Sequence, residues 1–352
     1  MMGKIHGGGR SLILFMLVCA LAVFAAAQAV QAGAPIILRG GATDAEGTTA
    51  PAQAFAKFCE LANKLSHGEL QLQPYWQSLG VDQQLAAAVK SGSVDFGYGA
   101  QSNLARFTDA FLQFDLPFLF KNDKTFIDVL ETHPAGKRAV AQFEKDLGVK
   151  ALLWTSHAYD ADFSGTDLQT RTKPVKVPAD IKGLKIRTGS TPVEQFLMKA
   201  YGANPTPVDY GQLYSAIQQG VVDGNAATPL PPYAAIKLYE ITKYYVAIGF
   251  RMNLLPIYLN QKKFDSLTPF QQQALLDAAA QTKPLAGQWA RERVKLAADA
   301  VEKGGVHIYH PTKAEMAQWM AVREKVWQQV ADEFKGKVDI GVANEVFKSI
   351  PR

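Results

Sequence analysis

A twelve-residue pattern that occurs twice constrains the fold of this chain more than any other feature of its sequence. Residues 84–95 (QLAAAVKSGSVD) match residues 212–223 (QLYSAIQQGVVD) at a constant offset, since 212 − 84 = 128. Each copy reads as an amphipathic helix, a glycine that ends the helix, and a short strand. The offset is too long for a solenoid repeat and has the size expected for two similar α/β domains.

Two such domains would place their binding loops on one cleft. Ligands of open α/β sheets bind at the carboxyl ends of the strands. The strand of each copy opens into small and polar residues, at 96–99 (FGYG) and at 224–228 (GNAAT). We therefore expect the loops that follow the two strands to face each other.

The stretch just before the second copy adds an anion-binding side chain. Residues 184–187 (LKIR) alternate as a strand that ends on Arg187, and Thr191-Pro192-Val193-Glu194 fits the capping box of a following helix. A guanidinium beside the free N–H groups of a helix N-terminus suits a carboxylate or a phosphate. The alternative interpretation is that Arg187 is a solvated charge at a strand end.

The N-terminus predicts export. Lys4 and Arg10 precede an apolar run at 11–27, and small residues follow it. This pattern is typical of a cleaved secretory signal peptide, residues 1–32, with cleavage after Ala32 or alternatively after Ala29. The other interpretation, an uncleaved membrane anchor, needs a longer apolar run.

Charge and cysteine content exclude several classes of protein. Without Lys4 and Arg10 the formal charge falls from +5 to +3, and no basic patch is present, so we expect no nucleic-acid partner. Cys59 remains as a single cysteine within a helical pattern. It has no disulfide partner, and we expect it to be a buried apolar side chain.

The chain carries no recognisable catalytic or cofactor motif. We find no glycine-rich nucleotide loop, CxxC, HExxH or GxSxG, and therefore expect no cofactor, no bound metal and no enzyme activity. His307 and His310 read as surface residues of an edge strand. Asp160 and Asp162 read as a solvated pair, although paired carboxylates also serve acid–base chemistry.

Three segments predict how the domains are joined. A polar stretch, 155–183, reads as a crossover into the second domain, and 244–260 reads as one or two strands that return. A capping box at Thr268 opens a helix that continues to Glu302. About 35 residues span roughly 50 Å, which is enough to bridge two domains, and Pro284 should kink this helix.

Four motifs together are specific for one family. In order they are residues 114–120 (FDLPFLF), 181–187 (IKGLKIR), 202–207 (GANPTP) and 216–224 (AIQQGVVDG). Over about residues 35–305 the chain resembles the substrate-binding proteins of TRAP (tripartite ATP-independent periplasmic) transporters, the DctP-type family.

The resemblance implies a two-domain α/β fold of the periplasmic-binding-protein type, with crossover strands as hinge and a long kinked helix across both domains. Domain I would comprise 33–157 and 251–283, and domain II 158–250 and 284–310. A C-terminal helical segment, 311–352, would follow, with one amphipathic helix at 313–334 that docks on its own domain.

The resemblance also implies the site. The family's arginine, here Arg187, binds the carboxylate of the ligand, Tyr210 lines the cleft, and Asn225 or Thr228 takes the place of a family asparagine. The chain departs from the family pattern in the first loop, which has Asp44, and after the crossover strand. The candidate ligand-binding residues are Arg187, Asn225, Thr228, Tyr210, Tyr159, Tyr98, Asn103, Tyr75 and Asp44.

The function that the resemblance implies is capture of a small organic acid in the periplasm. The acid would be delivered to the small and large membrane subunits of an ion-gradient-driven permease, and the binding protein would act as a monomer. A protein that signals ligand binding to a receptor, or an exported enzyme using Asp160 and Asp162, are the alternatives.

Overall fold

A computed structural model describes residues 34–80 and 82–350. The predicted signal peptide, residues 1–32, lies outside the described residues. The strands of the described part are β1 (Ile36–Ala42), β2 (Leu70–Trp76), β3 (Phe96–Tyr98), β4 (Val149–Ser156), β5 (Thr166–Thr170), β6 (Lys185–Thr188), β7 (Asn204–Pro207), β8 (Gly224–Thr228), β9 (Tyr244–Arg251), β10 (Leu254–Asn260) and β11 (His307–Tyr309).

Helices connect and cover these strands. They are α1 (Ala50–Leu65), α2 (Asp82–Ser91), α3 (Asp123–Thr132), α4 (Pro134–Leu147), α5 (Pro192–Ala200), α6 (Leu213–Gln218), α7 (Leu230–Ala235), α8 (Gln261–Asp265), α9 (Pro269–Lys303), α10 (Lys313–Met320), α11 (Arg323–Glu333) and α12 (Ile340–Ser349).

The strands form two separate sheets. The first has five strands in the order β2-β1-β3-β10-β4, and the second has six in the order β11-β9-β5-β8-β6-β7. Parallel and antiparallel pairs are mixed in both sheets. The expected α/β fold with two sheets and a long helix is confirmed.

The sequence repeat corresponds to a structural repeat. Helix α2 leads into β3, and helix α6 leads into β8. Strand β3 lies between a parallel neighbour, β1, and an antiparallel one, β10. Strand β8 likewise lies between parallel β6 and antiparallel β5. The two copies therefore occupy equivalent places in the two sheets.

The chain passes between the sheets three times. It crosses from β4 to β5 through residues 157–165, and it returns from β9 to β10 through the two residues Met252 and Asn253. The third crossing is helix α9, which packs on α1 and β4 on one side and on α7 on the other.

Helix α9 begins with the capping box that its sequence predicts. The hydroxyl of Thr268 accepts from the N–H of Gln271, and the side chain of Gln271 accepts from the N–H of Thr268. Pro284 lies inside the helix. At Gly287 the helix surface is so close to the ring of Tyr159 that an added Cβ would lie 3.0 Å from it.

The C-terminal segment differs from the single helix expected over 313–334. Helices α10 and α11 are separated by Ala321 and Val322, and α12 follows. The break lets two tryptophans anchor on different parts of the molecule. The indole N–H of Trp319 donates to the carbonyl of Lys176, and that of Trp327 donates to the carbonyl of Pro117. The segment docks on its own chain, as expected.

Other local expectations can be compared with the structure. Cys59 is buried within α1, and burial raises the pKa of its thiol. His307 and His310 are exposed at the edge strand β11. Over residues 34–80 and 82–350, no helix is both long enough and apolar enough to cross a membrane.

A glycine packed between two helices provides a test of the fold. A Cβ added at Gly136 of α4 would lie 2.0 Å from the carbonyl oxygen of Val129 in α3. Gly136→Ala should therefore lower the free energy of unfolding by about 1–3 kcal/mol, because the two helices must separate. Urea unfolding measures this change. Gly211→Ala is the control, since nothing lies within 4 Å of its added Cβ, and an equal loss in both variants would contradict the packing.

Candidate functional site

A cavity of about 60 Å³ lies between the two sheets. The loops that follow β1, β3 and β4 line one side, and the ends of β6, β8 and β9 line the other. These are the carboxyl ends of the strands, where open α/β sheets bind their ligands. The lining includes Thr43, Asp44, Asp82, Ala100, Ser102, Asn103, His157, Arg187, Gly189, Glu194, Tyr210, Ala227, Thr228, Pro229, Pro232, Arg251, Asn253 and Leu255.

Arg187 is a buried cation that forms no ion pair within the described residues. Its side chain is 3% exposed. Its Nε donates to the carbonyl of Val208 at 2.8 Å, and its Nη1 donates to Asn225 and Thr228 at 3.2 and 3.3 Å. Its Nη2 has no hydrogen-bond partner in the described part of the chain, and no described carboxylate forms an ion pair with it. Burial lowers the pKa of this guanidinium.

A chain of amides fixes the orientation of Arg187. The Oδ1 of Asn225 accepts from the guanidinium, while its Nδ2 donates to the side chain of Gln169. The Nε2 of Gln169 donates in turn to the carbonyl of Thr228 at 3.1 Å. All three side chains are buried. The guanidinium is therefore held in one position before any ligand arrives, which reduces the entropy cost of binding.

A second buried arginine is fully compensated. Arg251 pairs with Asp115 through Nη1 at 3.3 Å and with Glu194 through Nη2. Asp115 also accepts from Gln101 and from the hydroxyl of Thr191. The three charged groups come from three distant segments, and they tie helix α5 of the second sheet to the loop before α3.

The predicted capping box at Thr191 and Glu194 is wrong in its contacts. Thr191 is the N-cap residue, but its hydroxyl donates to Asp115 and accepts no helix N–H. Glu194 accepts instead from the N–H of Gly189 at 2.6 Å and from Arg251. The buried guanidinium binds Glu194 more strongly than a single backbone N–H would.

Two aspartates line the wall opposite Arg187. The Oδ2 of Asp44 accepts from the hydroxyls of Thr49 and Tyr98 at 2.7 and 3.2 Å. Asp82 accepts from the N–H of Ala100 and from the amide of Asn103. The pKa of Asp82 is raised to about 6, chiefly by burial and in smaller part by the nearby charge of Asp44, while its hydrogen bonds and the charge of Arg187 oppose the rise.

The sequence repeat explains the placement of one aspartate. Asp82 and Tyr210 are equivalent positions, since 210 − 82 = 128, and each lies two residues before the matched glutamine of its copy. Both line the cavity from opposite sides. The hydroxyl of Tyr210 donates to the carbonyl of Pro232 at 3.2 Å.

His157 is a cavity residue that sequence reasoning did not select. It follows β4, is 5% exposed, and its Nδ1 has no hydrogen-bond partner among the described residues. Burial lowers its pKa, and Asp44 opposes this. The imidazole is therefore neutral at pH 7 and offers a nitrogen to a ligand. Its scattered position in the sequence gives no signal of this role.

The candidate residues separate into three groups. Five of them line the cavity together, namely Arg187, Thr228, Tyr210, Asn103 and Asp44, and Asn225 holds Arg187 from behind. Tyr98 is fully buried behind Asp44 and supports it.

Tyr75 and Tyr159 do not line the cavity. Tyr75 lies on the edge strand β2 and bonds to Gln73 near the surface, because the side chains of a strand alternate between its faces. Tyr159 packs in the first crossover against Gly287 and under Arg291. Both expectations rested on aromatic character alone.

An open groove connects the cavity to the surface. It has a volume of about 670 Å³ and shares Asp82, Asn103, Arg187 and Tyr210 with the cavity. The wall of the cavity that contains Arg187 is therefore continuous with the groove.

Comparison with known proteins identifies the family. The model of the bacterial extracellular solute-binding protein, family 7, matches residues 41–333. The chain belongs to this family. The resemblance to the TRAP substrate-binding proteins is thereby confirmed, and the family consists of binding proteins for transport, not enzymes. Its members act outside the cytoplasm, which agrees with the expected periplasmic location.

Named relatives cover most of the chain. It is 28% identical over 326 residues to the C4-dicarboxylate-binding periplasmic protein DctP of Rhodobacter capsulatus, covering 91% of this chain and 94% of that protein. It is also 28% identical over 253 residues to the 2,3-diketo-L-gulonate-binding periplasmic protein YiaO of Escherichia coli (strain K12), covering 72% and 74%.

Solved structures share the fold. A TRAP periplasmic solute-binding protein from Shewanella oneidensis with bound succinate gives a TM-score of 0.81 at 22% identity, covering 90% of this chain and 100% of that one. Another from Sulfitobacter sp. NAS-14.1 with bound β-D-galacturonate gives 0.80 at 21% identity, covering 89% and 99%.

The buried ion triad can be tested by removing its cation. Arg251→Gln leaves Asp115 and Glu194 buried without a counter-charge and should lower the free energy of unfolding by about 3–5 kcal/mol. Arg291→Gln is the matched control, because the pair it forms with Asp160 is exposed and is worth at most about 1 kcal/mol. Similar losses in the two variants by urea unfolding would contradict a structural role for the triad.

The pKa of Asp82 predicts a pH dependence of the free protein. Its value of about 6 lies above the usual 3.8, so the folded state binds the proton more tightly, and stability falls as the pH rises through this window. Asp82→Asn removes this effect. The stability of the variant relative to wild type should therefore increase by roughly 2 kcal/mol between pH 4 and pH 7.

Urea unfolding across that range, without ligand, measures the difference. Asp123 and Asp167 also have raised pKa values, of about 7 and about 6, but they titrate in both proteins and cancel. If the difference in free energy of unfolding between the variant and wild type does not change with pH, folding does not raise the pKa of Asp82.

Proposed function

We propose that this protein captures the carboxylate of a small organic acid between its two sheets, with Arg187 as the anchor. One observation carries the proposal: a positioned guanidinium is buried beside a cavity, and its Nη2 lacks a partner within the described residues. An uncompensated buried cation is costly, whereas a bound carboxylate satisfies both its charge and its remaining donors.

The relatives support a carboxylate as ligand. The proteins named above are described as binding a C4-dicarboxylate and 2,3-diketo-L-gulonate, and solved structures of the same fold hold succinate and β-D-galacturonate. These compounds differ in size and in hydroxyl content but all carry a carboxylate. Arg187 is suited to bind this shared carboxylate.

Binding proceeds by closure of two lobes. The lobes are residues 33–157 with 251–283, and 158–250 with 284–310. Each has its own sheet, and the two short crossings between them, residues 157–165 and 252–253, serve as the hinge. A ligand that contacts Arg187 on one side and Asp44 or Asn103 on the other favours the closed form.

The captured acid is passed to a TRAP permease. The protein is exported with cleavage of residues 1–32, acts as a monomer, and delivers its ligand to the small and large membrane subunits. The family assignment and the docking of the C-terminal segment on its own chain support this proposal.

Arg187→Ala tests the anchor. A charge-assisted bond to a carboxylate is worth about 1.5–3 kcal/mol net, so affinity for an acid ligand should fall at least about tenfold. Thermal-shift and calorimetric titrations would use succinate, glucuronate, galacturonate and lactate with protein refolded from denaturant. A ligand at 100 times its Kd should add about 2.7 kcal/mol of stability to wild type.

Arg106→Ala is the matched control. Arg106 is exposed in the groove outside the cavity and bonds only to Gln83 among the described residues. Its variant should bind as wild type does. If uncharged analogues bind as tightly as acids, or if Arg187→Ala retains full affinity, the cavity does not work by carboxylate capture.

A further inference from the structure

The side chains around the cavity carry more negative than positive charge, which does not favour a ligand whose only charge is a carboxylate. Asp44, Asp82 and Glu194 line it, and Asp115 completes the ion triad of Arg251. With Arg187 this makes four carboxylates against two guanidinium groups, hence a formal charge of −2. The neutral His157 adds nothing to this charge.

The excess negative charge lies on one wall. Glu194 and Asp115 are both paired with Arg251, so the unpaired carboxylates are Asp44 and Asp82. Each accepts hydrogen bonds only from neutral groups: hydroxyls for Asp44, and a backbone N–H and an amide for Asp82. Within the described chain, the Oδ1 of Asp44 has no hydrogen-bond partner although Asp44 is only 8% exposed.

A ligand carrying only a carboxylate would raise the charge of this site to −3. A cavity of about 60 Å³ holds few waters, so charges inside it are screened poorly. Arg187 can neutralise the ligand carboxylate, but Asp44 and Asp82 would remain uncompensated in the closed form. A cationic group on the ligand is the direct way to compensate them.

We propose that the ligand is a zwitterion, whose carboxylate binds Arg187 and whose basic nitrogen, protonated, binds between Asp44 and Asp82. This rests on the proposed function, since it assumes carboxylate capture at the same cavity. Asp44 and Asp82 are then the residues that determine specificity, and they distinguish this chain from a binder of simple or hydroxylated acids.

The neighbouring groups fit an ammonium ion. An ammonium ion donates three hydrogen bonds, and the Oδ1 of Asp44 can accept one of them. Asp44 and Asp82 line the same cavity. Burial is the main cause that raises the pKa of Asp82, and the charge of Asp44 adds to it. A bound cation relieves both effects.

The test compares acids of matched length that differ at one end. The probes are β-alanine, 4-aminobutanoate and 5-aminopentanoate. Each is compared with the hydroxy acid and the unsubstituted acid of the same chain length. Alanine, lactate and propanoate form a further set. Calorimetric titration of refolded wild type at pH 7 gives each Kd. At the best chain length the amino acid should bind at least about tenfold more tightly than both partners.

Asp44→Asn tests the residue assignment. Asparagine keeps the size of the side chain and can accept from Thr49 and Tyr98, but it has no charge. The preference for amino over hydroxy acid should fall at least about tenfold, with the hydroxy acid bound as well as before or better. Asp160→Asn, which removes an equal charge on the first crossover, should leave the preference unchanged.

The outcomes separate the inference from the proposed function. If hydroxy or unsubstituted acids bind as tightly as amino acids, and Arg187→Ala abolishes their binding, carboxylate capture stands and the zwitterion is excluded. A loss in Asp44→Asn that is equal for both kinds of acid also overturns the inference. If no acid of any kind binds to wild type, the proposed function fails together with it.

Discussion

The burial of the Arg187 guanidinium without a counter-charge is the interaction on which the cavity depends. Such a group is tolerated only because neutral acceptors hold it, from Val208, Asn225 and Thr228. These acceptors come from the loop after β7 and from β8, so the second sheet must form before the anchor exists. An anionic ligand would supply the negative charge that pairs with Arg187.

Two arginines with equal burial take opposite roles, because their partners differ. Arg251 forms ion pairs with Asp115 and Glu194 and joins the two sides of the molecule. Arg187 forms no ion pair with a described residue, and its hydrogen-bond partners are the neutral oxygens of Val208, Asn225 and Thr228. Residue type and burial are the same for the two arginines, and the pairing of charges is what separates them.

Local patterns and the internal repeat predicted the helix–strand units of this molecule. They did not predict side-chain pairs between residues that are distant in the sequence. The two equivalent helix–strand units follow from the repeat, and Arg187 follows from a strand that ends beside a helix start. The capping box at Glu194 was wrong, because a guanidinium 57 positions away along the chain binds that carboxylate. His157 and Arg251 escaped notice because no local spacing brings them to the site, and only the packing of the two sheets does. The repeat marks Asp82 as the equivalent of Tyr210, but it does not place the two residues across one cavity.

The three connections between the sheets have a mechanical meaning. Two are short, over residues 157–165 and 252–253, and the third is the 35-residue helix α9. The C-terminal tryptophans bind a further segment to the carbonyls of Lys176 and Pro117. A body held at several points along one side has one easy rotation and resists twisting or sliding. We expect every ligand to drive the same rotation. A membrane subunit that reads closure would therefore meet one and the same surface, whatever molecule lies inside.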